Sequence, residues 1–484
     1  MATTVDKLKK KFSEKNKYSN FGPVLKGMYI DGFRGINKIN INFDFPIIVI
    51  SGLNGAGKST LGQLAICGYK KPSTSINYKR HYVKDFFPIS PADPKPIADD
   101  AKLTYFYETD DSKKPQEVTV SRANSAWSGY KRQPERHCYY VGFTVYIPKV
   151  ERRDASVYGG AHLKFTEKRN IDIDVINKMA KIIGHKYDDV IFQGVDHKGK
   201  ESEVGIATRL GYSYSENNMG FGEGRILYTI DQLENAPEQS LFILEEPETS
   251  LHESAQHEFA KYLLDVCNRR HHQIILSSHS SVIMNALPSE SRKLITRDFQ
   301  GVDIRDRLSS GQIRSILSAG KVRALDICVE DLFAKALLTE VIRTHKRDLL
   351  KVIHIHDIGD KNAVREAVKT LNKIGRKSIA IRDADVGPAP QDGLYCFPGK
   401  LPPEKEVYFN KDVQASINAM FDIDISWLFQ RENIIDHHKY TSSIAQEAEA
   451  EESVIRNLAI NEYIKSINFE LNEIITTIEK RIAD

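Results

Sequence analysis

One segment near the start of the chain limits the fold more than any other. The apolar run PIIVI is followed directly by SGLNGAGKST and then by LGQLAICGY, which has the pattern of a helix. A continuous apolar run of this kind is typical of a strand buried on both faces of a sheet. A buried strand, a glycine-rich turn and a helix in this order predict a parallel α/β sheet whose turn wraps around phosphate.

The turn itself fits the phosphate-loop pattern from Gly52 to Ser59. Its glycines let the backbone come close to phosphates and point N–H groups at them. Lys58 is expected to reach the β- and γ-phosphates, and the hydroxyl of Ser59 to hold Mg²⁺. The alternative is a chance glycine-rich turn. The expected ATP-binding residues are Asn54, Gly55, Ala56, Gly57, Lys58, Ser59 and Thr60.

A second apolar run, FILEE, ends in two carboxylates. Ligands of such sheets bind at the carboxyl edge of the strands. We therefore expect Glu245 to bind Mg²⁺, directly or through water, and Glu246 to act as the general base that polarises the attacking water. His279 ends the next predicted strand and is expected to sense the γ-phosphate. A solvated acidic turn and a structural histidine are the alternatives.

The motifs FRGI, GLNGAGKST, EEPETSLH and SSH, in this order, resemble the RecF-like and SMC-like branch of ABC ATPases. The resemblance implies an ABC-type ATPase head that pairs with a second copy around two ATP molecules. In that arrangement Gly220, Gly222 and Glu223 of one chain would complete the site of the other. Their segment, NMGFGEG, lacks the serine usual in a signature loop, and a glycine-rich surface turn is the alternative. No long heptad stretch occurs, unlike in SMC proteins.

The rest of the chain divides into segments with different residue patterns. Residues from about 70 to 160 show hairpin-like and aromatic patterns, including the strand-like CYYVGFTVYIP, and predict a β-rich insert in the ATPase. IDIDVINKMAKIIG has helical periodicity. After Arg292 the stretch LITRDFQGVDIRDRLSSGQ reads as linker-like, and at Ala324 a second pattern of alternating strands and helices begins.

The second pattern places acidic residues at its strand ends. Glu330 ends the first strand, and Asp383 and Asp385 follow a later one, with HIHDIGDKN between them. The carboxyl edges of adjacent parallel strands converge on one point, and oxygen-only clusters suit Mg²⁺ or Mn²⁺. Two such ions stabilise the attacking and leaving oxygens in phosphodiester cleavage. A helix cap or a turn at Asp-Ala-Asp is the alternative.

This order of acids resembles the Toprim domain, and an ABC ATPase followed by a Toprim domain resembles the OLD (overcoming lysogenization defect) family of nucleases. The resemblance implies nucleotide-gated DNA cleavage, often in defence against phages. Lys400 would stabilise developing phosphate charge, with Glu404 or Glu406 as a further metal ligand, and a solvated proline-rich loop is the alternative. Asp331 stands where Toprim domains commonly have glycine, and Arg382 precedes the aspartates. The expected domains are an ATPase over 1–315, a Toprim-like domain over 322–411 and a helical region over 412–484.

The composition limits which binding partners and which cellular compartment are expected. A net charge of +3 does not by itself mark a nucleic-acid binder, so a basic surface would have to be local. Five scattered cysteines argue against a zinc or disulfide framework and favour a reducing cytoplasm. The polar, basic N-terminus is not a signal peptide, and no membrane span is predicted. We expect a cytoplasmic homodimer or higher oligomer, joined through the ATPase heads, that acts on DNA.

Two rival functions stay open. One is a regulatory ATPase scaffold whose degenerate Toprim-like domain controls a separate effector protein, and the other is a DNA-repair clamp without nuclease activity. Local basic groups remain ambiguous between DNA contact and ordinary surface: Lys9, Lys10 and Lys11, and Lys131, Arg132, Arg136, Lys149, Arg152 and Arg153 beside Trp127, Tyr130, Tyr139 and Tyr140. Adjacent histidines on a helix point apart, so Asp436, His437 and His438 are expected to be structural or solvated.

Overall fold

A computed structural model describes residues 3–13, 15–73, 75, 79–108, 116–123, 126–147, 163–197, 200–299, 301–318 and 322–483. The chain divides into two compact units, Met1–Leu308 and Ser309–Asp484. Within the described ranges, no helix is both long and apolar enough to cross a membrane.

The first unit is built around a largely parallel sheet. Its spatial order is β15-β14-β3-β13-β12-β7, and all neighbours except β15 run parallel. The predicted strand PIIVI and the strand before the paired glutamates are both fully buried. The strands are β3 (Ile47–Gly52), β7 (Cys138–Val141), β12 (Leu241–Glu245), β13 (Gln273–Ser277), β14 (Arg292–Asp298) and β15 (Gly301–Asp306).

The stretch after Arg292, predicted to be linker-like, is part of this sheet. Strand β14 pairs in parallel with β3, and Leu294 and Ile295 are fully buried. The interpretation as a linker is wrong because charged residues flank a short apolar core of the strand. Lys293 is itself buried but lies 3.0 Å from Asp306 and 3.4 Å from Asp44, so its charge is paired.

An antiparallel sheet in the order β2-β1-β4-β5-β6 lies in the same unit. Its strands come from both sides of the phosphate loop, so the segment at 70–160 extends this sheet and does not form one of its own among the described residues. Part of that segment, β7, joins the parallel sheet beside β12. The strands are β1 (Leu25–Phe33), β2 (Ile39–Asn42), β4 (Ile97–Tyr107), β5 (Gln116–Ala123) and β6 (Ala126–Ser128).

A further antiparallel sheet, in the order β11-β10-β9-β8, follows, and helices complete the unit. The strands are β8 (Leu163–Asn170), β9 (Asp189–His197), β10 (Lys200–Arg209) and β11 (Tyr212–Ser215). The helices are α1 (Thr4–Lys11), α2 (Lys17–Phe21), α3 (Lys58–Ile66), α4 (Val83–Phe86), α5 (Ile173–Ile183), α6 (Phe221–Asn235), α7 (Glu253–Arg270) and α8 (Ser281–Ala286).

The second unit contains a parallel sheet in the order β17-β16-β18-β19. Strand β16 lies beside β18, so residues that follow these two strands share one edge. The strands are β16 (Leu325–Val329), β17 (Ile353–Asp357), β18 (Ser378–Arg382) and β19 (Leu394–Cys396).

Helices cover this sheet and continue to the end of the chain. One apolar core joins β16 and α10 to the C-terminal helices, through residues such as Leu338, Ile444 and Ile478. The C-terminal helices therefore fold with the sheet as one unit. The helices are α9 (Ser310–Leu317), α10 (Leu332–Lys346), α11 (Lys361–Lys373), α12 (Pro403–Tyr408), α13 (Lys411–Phe421), α14 (Ile425–Arg431), α15 (Tyr440–Glu447), α16 (Glu452–Ser466) and α17 (Asn468–Ala483).

Candidate functional site

The phosphate loop joins β3 to α3 in a conformation that needs glycine. Gly57 precedes the helix with φ 117°, a backbone conformation that residues with a side chain rarely adopt. At Gly52 a Cβ atom would lie 2.4 Å from the carbonyl oxygen of Ile295 on the neighbouring strand. The free N–H groups at the start of α3 face this turn, which makes it a site suited to anions.

Lys58 is held inside the loop. Its side chain is largely buried, and its Nζ donates to the carbonyl oxygens of Gly52 at 3.0 Å and Leu53 at 3.3 Å. Burial lowers the pKa of Lys58, while Glu246 and Glu245 oppose that shift. The ammonium group therefore lies within electrostatic reach of both glutamates as well as of the loop.

Ser59 and Glu245 meet across the sheet. The Ser59 hydroxyl donates to Glu245 Oε2 at 2.9 Å. The same carboxylate accepts from Ser277 at 3.0 Å and from Tyr140 at 3.1 Å. Hydroxyl and carboxylate oxygens are the donors that Mg²⁺ prefers, so this pair fits a magnesium ion. The structure brings the two halves of the predicted site together.

Glu246 stands in a strained turn beside His279. Its φ of 41° is unusual for a residue with a side chain, and strain of this kind clusters at functional sites. Its N–H donates to the carbonyl and the hydroxyl oxygen of Ser277, both at 3.1 Å. His279 Nε2 lies 3.3 Å from Glu246 Oε1. The predicted general base and the predicted sensor are therefore direct neighbours.

Glu248 fixes the turn that carries His279. The largely buried Glu248 Oε1 accepts from the Ser278 hydroxyl at 2.6 Å and from the His279 N–H at 2.9 Å. Glu248 belongs to the EEPE motif, but no role was predicted for it from the sequence. The signal that it is special, a third carboxylate two residues beyond the first pair, becomes meaningful once β13 is known to lie beside β12.

Arg225 was also missed from the sequence. It is 1% exposed, it donates to the carbonyl oxygen of Glu245, and its guanidinium lies 5.0 Å from the ring centroid of Phe143. Burial lowers the pKa of Arg225, against the opposing effect of Glu248 and its neighbours. Because Arg225 belongs to α6, it connects the predicted signature segment to the strand that ends in Glu245.

The predicted signature residues lie at the start of α6. Gly220 is the N-cap residue, and a Cβ atom on Gly222 would lie 2.6 Å from the carbonyl oxygen of Ser250. The carboxylate of Glu223 accepts from Tyr187 and Tyr214, each at 2.8 Å. Glu223 is thus engaged within its own unit. Burial and Glu223 together raise the pKa of Tyr214 to about 12.

Of the ambiguous basic groups in this unit, Lys9, Lys11 and Arg136 have partners within the unit, and Lys10, Lys131 and Arg132 are exposed. Lys9 pairs with Glu290 at 2.7 Å, and Lys11 donates to the Asn268 carbonyl at 2.7 Å. Arg136 is buried and donates to Gln273 at 2.8 Å. Lys149, Arg152 and Arg153 lie outside the described residues.

A second cluster of carboxylates forms at the sheet edge of the second unit. Glu330 follows β16 and Asp383 follows β18, and Glu330 Oε1 accepts from the Asp383 N–H at 3.3 Å. Burial, followed by Glu330, Asp331 and Glu404, raises the pKa of Asp383 to about 8. Asp385 is exposed and lies close enough to contribute to that shift. Crowded carboxylates of this kind suit a divalent cation.

Glu404 and His438 adjoin this cluster. Glu404, on α12, is 3% exposed, and its Oε1 lies 3.1 Å from His438 Nδ1. The same nitrogen is 3.4 Å from Asp331 Oδ2. Burial and Asp331 raise the pKa of Glu404 to about 7. The expectation that the adjacent imidazoles point apart is wrong: the centroids of His437 and His438 are 4.1 Å apart, because the segment is a 3-10 turn.

Other residues singled out from the sequence have structural partners. Asp357 pairs with Lys335 at 2.6 Å, and Asp360 caps α11. Glu406 accepts from the N–H groups of Lys400 and Leu401 at 2.7 Å and 2.9 Å. Lys400 is exposed in this loop. Of the late acids named from the sequence, Glu404 therefore lies with the carboxylate cluster and Glu406 holds the loop.

Comparison with known proteins supports the prediction that the first unit is an ATPase. The model of a family described as AAA ATPase domain (AAA_15) matches residues 109–284. The matched span contains Glu245, Glu246 and His279 and begins after the phosphate loop. No curated protein matches the sequence. The chain thus contains an ATPase domain.

SMC heads are among the solved structures that resemble the chain. The SMC head domain from Thermotoga maritima is 15% identical, with a TM-score of 0.35, over 58% of this chain and 98% of that chain. The Smc head domain bound to the C-terminal domain of ScpA, from Pyrococcus furiosus, is 12% identical, with a TM-score of 0.38, over 61% and 99%. The ATPase assignment rests on the family match together with the loop and strand-edge geometry.

Proposed function

We propose that the chain is an ABC-type ATPase whose nucleotide cycle gates metal-dependent DNA cleavage by its second unit, in defence against phages. The observation that carries the proposal is the convergence of Glu330, Asp383 and Asp385 at one sheet edge of a unit that follows the nucleotide site. The phage role comes from the resemblance to OLD nucleases.

In the ATPase unit, each residue has a chemical task. Lys58 and the loop N–H groups bind the phosphates, and Ser59 with Glu245 would hold magnesium, which neutralises phosphate charge when bound. Glu246 accepts a proton from the attacking water at its carboxylate. His279, 3.3 Å from that carboxylate, holds it in place and contacts the γ-phosphate.

A second copy of the chain completes the nucleotide site. Gly220 and Gly222 start α6, whose N-terminal N–H groups suit the phosphates of a partner's ATP. Arg225 connects this helix to the carbonyl of Glu245. One buried side chain therefore links the surface that would meet the second copy to β12, the strand that ends in the magnesium ligand. ATP thereby controls how the two heads meet.

In the second unit, Glu330, Asp383 and Asp385 would hold Mg²⁺ or Mn²⁺. Asp383 is buried among acids that raise its pKa, and a divalent cation restores its charged form by supplying the missing positive charge. Such ions, when bound, stabilise the charge that develops on the phosphate during cleavage. Lys400 lies in an exposed loop from which it would reach DNA phosphate.

The test is plasmid cleavage by the purified chain, with Mg²⁺ or Mn²⁺ and with or without ATP. The variant with both Asp383→Ala and Asp385→Ala should lose cleavage and keep ATP hydrolysis. The matched control, Asp392→Asn, changes an exposed carboxylate of the same unit outside the cluster and should cut like the natural sequence. Cleavage that persists in the double variant would sink the nuclease assignment.

The regulatory scaffold is the second candidate, and two observations favour it. Asp357 forms an ion pair with Lys335. Burial and neighbouring acids raise the pKa of Glu330, and the positive charge of the buried Arg382 acts against this rise. Both features reduce the negative charge that two ions require. ATP hydrolysis without cleavage under any of the above conditions would favour this function.

A further inference from the structure

Two histidines and a glutamate of the second unit lie together beside the acid cluster. Glu404, His437 and His438 each offer one ligand atom, and these atoms all lie within 4.8 Å of one another. They come from α12 and from the 3-10 turn His437–Lys439 before α15, so tertiary packing brings them together.

The spacing of this group matches a small cation. His438 Nδ1 lies 3.1 Å from Glu404 Oε1 and 3.4 Å from Asp331 Oδ2. Ligands about 2.0 to 2.1 Å from a tetrahedral zinc ion are roughly 3.3 Å apart. The distance from this nitrogen to each of the two carboxylate oxygens is therefore close to that between ligands of one ion.

Glu404 supplies an independent sign of a missing partner. Its side chain is 4% exposed, and among the described residues no donor reaches its Oε2 atom. A buried carboxylate oxygen without a partner is costly, since it has lost water and gained nothing. A cation bound by both carboxylate oxygens of Glu404 would satisfy it.

An open cavity gives an ion access to this position. The cavity has a volume of about 450 Å³, and its lining includes Glu330, Asp331, Glu404 and His438. The positively charged side chain of Arg456 also lines the cavity. Glu404, His437 and His438 supply three ligands. A water molecule from the cavity can therefore complete the coordination of an exchangeable ion.

We propose that Glu404, His437 and His438, with Asp331 as the outer carboxylate, bind one divalent transition-metal ion of the zinc class. Imidazole ligands select such ions over Mg²⁺, which prefers an all-oxygen shell. This site goes beyond the oxygen-only pair of the proposed nuclease, and metal binding there does not depend on whether the chain cuts DNA.

A second histidine–aspartate group in the unit is better explained as an ion-pair network. Asp326, His354 and His356 also offer atoms within 4.8 Å of one another. Asp326 Oδ1, however, accepts from Arg376 at 2.7 Å and lies 2.8 Å from His356 Nε2. The guanidinium neutralises this buried carboxylate, so an added dication would find no net negative charge to bind. This group serves as the control.

The experiment is calorimetric titration of the full chain, freed of metal by a chelator, with zinc chloride in millimolar magnesium, which occupies the oxygen-only sites. One zinc ion per chain should bind. Glu404→Gln and His438→Asn should each weaken binding at least tenfold, and His354→Asn should bind like the natural sequence. Circular dichroism verifies folding, and the half-buried His437→Asn replaces any variant that fails to fold.

Cobalt provides a second readout. Co²⁺ alone should give the intense visible bands of a four-coordinate site in the natural chain and in His354→Asn, and the bands should disappear in His438→Asn. The absence of zinc binding, or its loss in His354→Asn with retention in His438→Asn, would overturn the inference. A chain that binds zinc but cuts no DNA would keep this inference and refute the nuclease.

Discussion

The hydroxyl of Ser59 donates to Glu245 at 2.9 Å although 186 positions separate the two residues. The contact exists because β3 and β12 both pair in parallel with β13, so their carboxyl ends reach the same edge. A phosphate loop and a pair of carboxylates therefore face one space. The predictions for the ATPase unit follow from this arrangement.

Glu246→Gln should abolish most ATP hydrolysis and leave ATP binding intact. The amide keeps the shape of the side chain but cannot accept the proton of the attacking water, so turnover should fall by about 10² or more. Phosphate release and fluorescent-nucleotide binding measure the two effects. Glu253→Gln, an exposed carboxylate of the same unit, is the control and should hydrolyse ATP normally. Normal turnover in Glu246→Gln would show that another group is the base.

Glu248→Ala should lower kcat by roughly tenfold with little change in KM. The carboxylate holds the Ser278 hydroxyl and the His279 N–H, so its loss lets His279 move away from Glu246. Glu248→Gln keeps an oxygen acceptor and should recover most of the activity. An equal loss in both variants would mean that the charge of Glu248, and not its position, matters.

Arg225→Met should destabilise the first unit by about 1.5 to 3 kcal/mol, the usual loss for a buried hydrogen bond from a charged group. The side chain is 1% exposed and donates to the Glu245 carbonyl, and methionine fills part of its volume without replacing the bond. Urea unfolding measures the change. Arg307→Met, with a side chain 64% exposed, should stay within about 0.5 kcal/mol of the natural chain. A similarly small effect at Arg225 would contradict its structural role.

Asp383 makes the metal-free chain less stable as pH rises. Its pKa is raised from 3.8 to about 8, chiefly by burial and Glu330, so the folded chain binds this proton more tightly than the unfolded chain. Its stabilising contribution is complete below about pH 4 and is lost as pH rises through about 8. Melting temperatures in EDTA between pH 5 and 8.5 should therefore fall more steeply in the natural chain than in Asp383→Asn.

Asp392→Asn should follow the natural pH curve, because its carboxylate is exposed and outside the cluster. Magnesium should raise the melting temperature most at high pH, where the ionised acids repel one another without it. Parallel curves for Asp383→Asn and the natural chain would contradict the raised pKa. Glu330 and Glu404 interact with Asp383, so the pH dependence belongs to the cluster as a whole.

The sequence by itself determined the local parts of this protein. The phosphate loop, the strand that ends in Glu245 and the alternating pattern after Ala324 were readable, because apolar runs and glycine positions encode neighbours close along the chain. The tertiary structure decided what those parts contact. It joined β14 to the sheet, aimed Glu248 at His279, buried Arg225 beneath Glu245 and placed His438 against Glu404. Such contacts depend on strand order and on the packing of distant helices, which no local pattern of residues specifies.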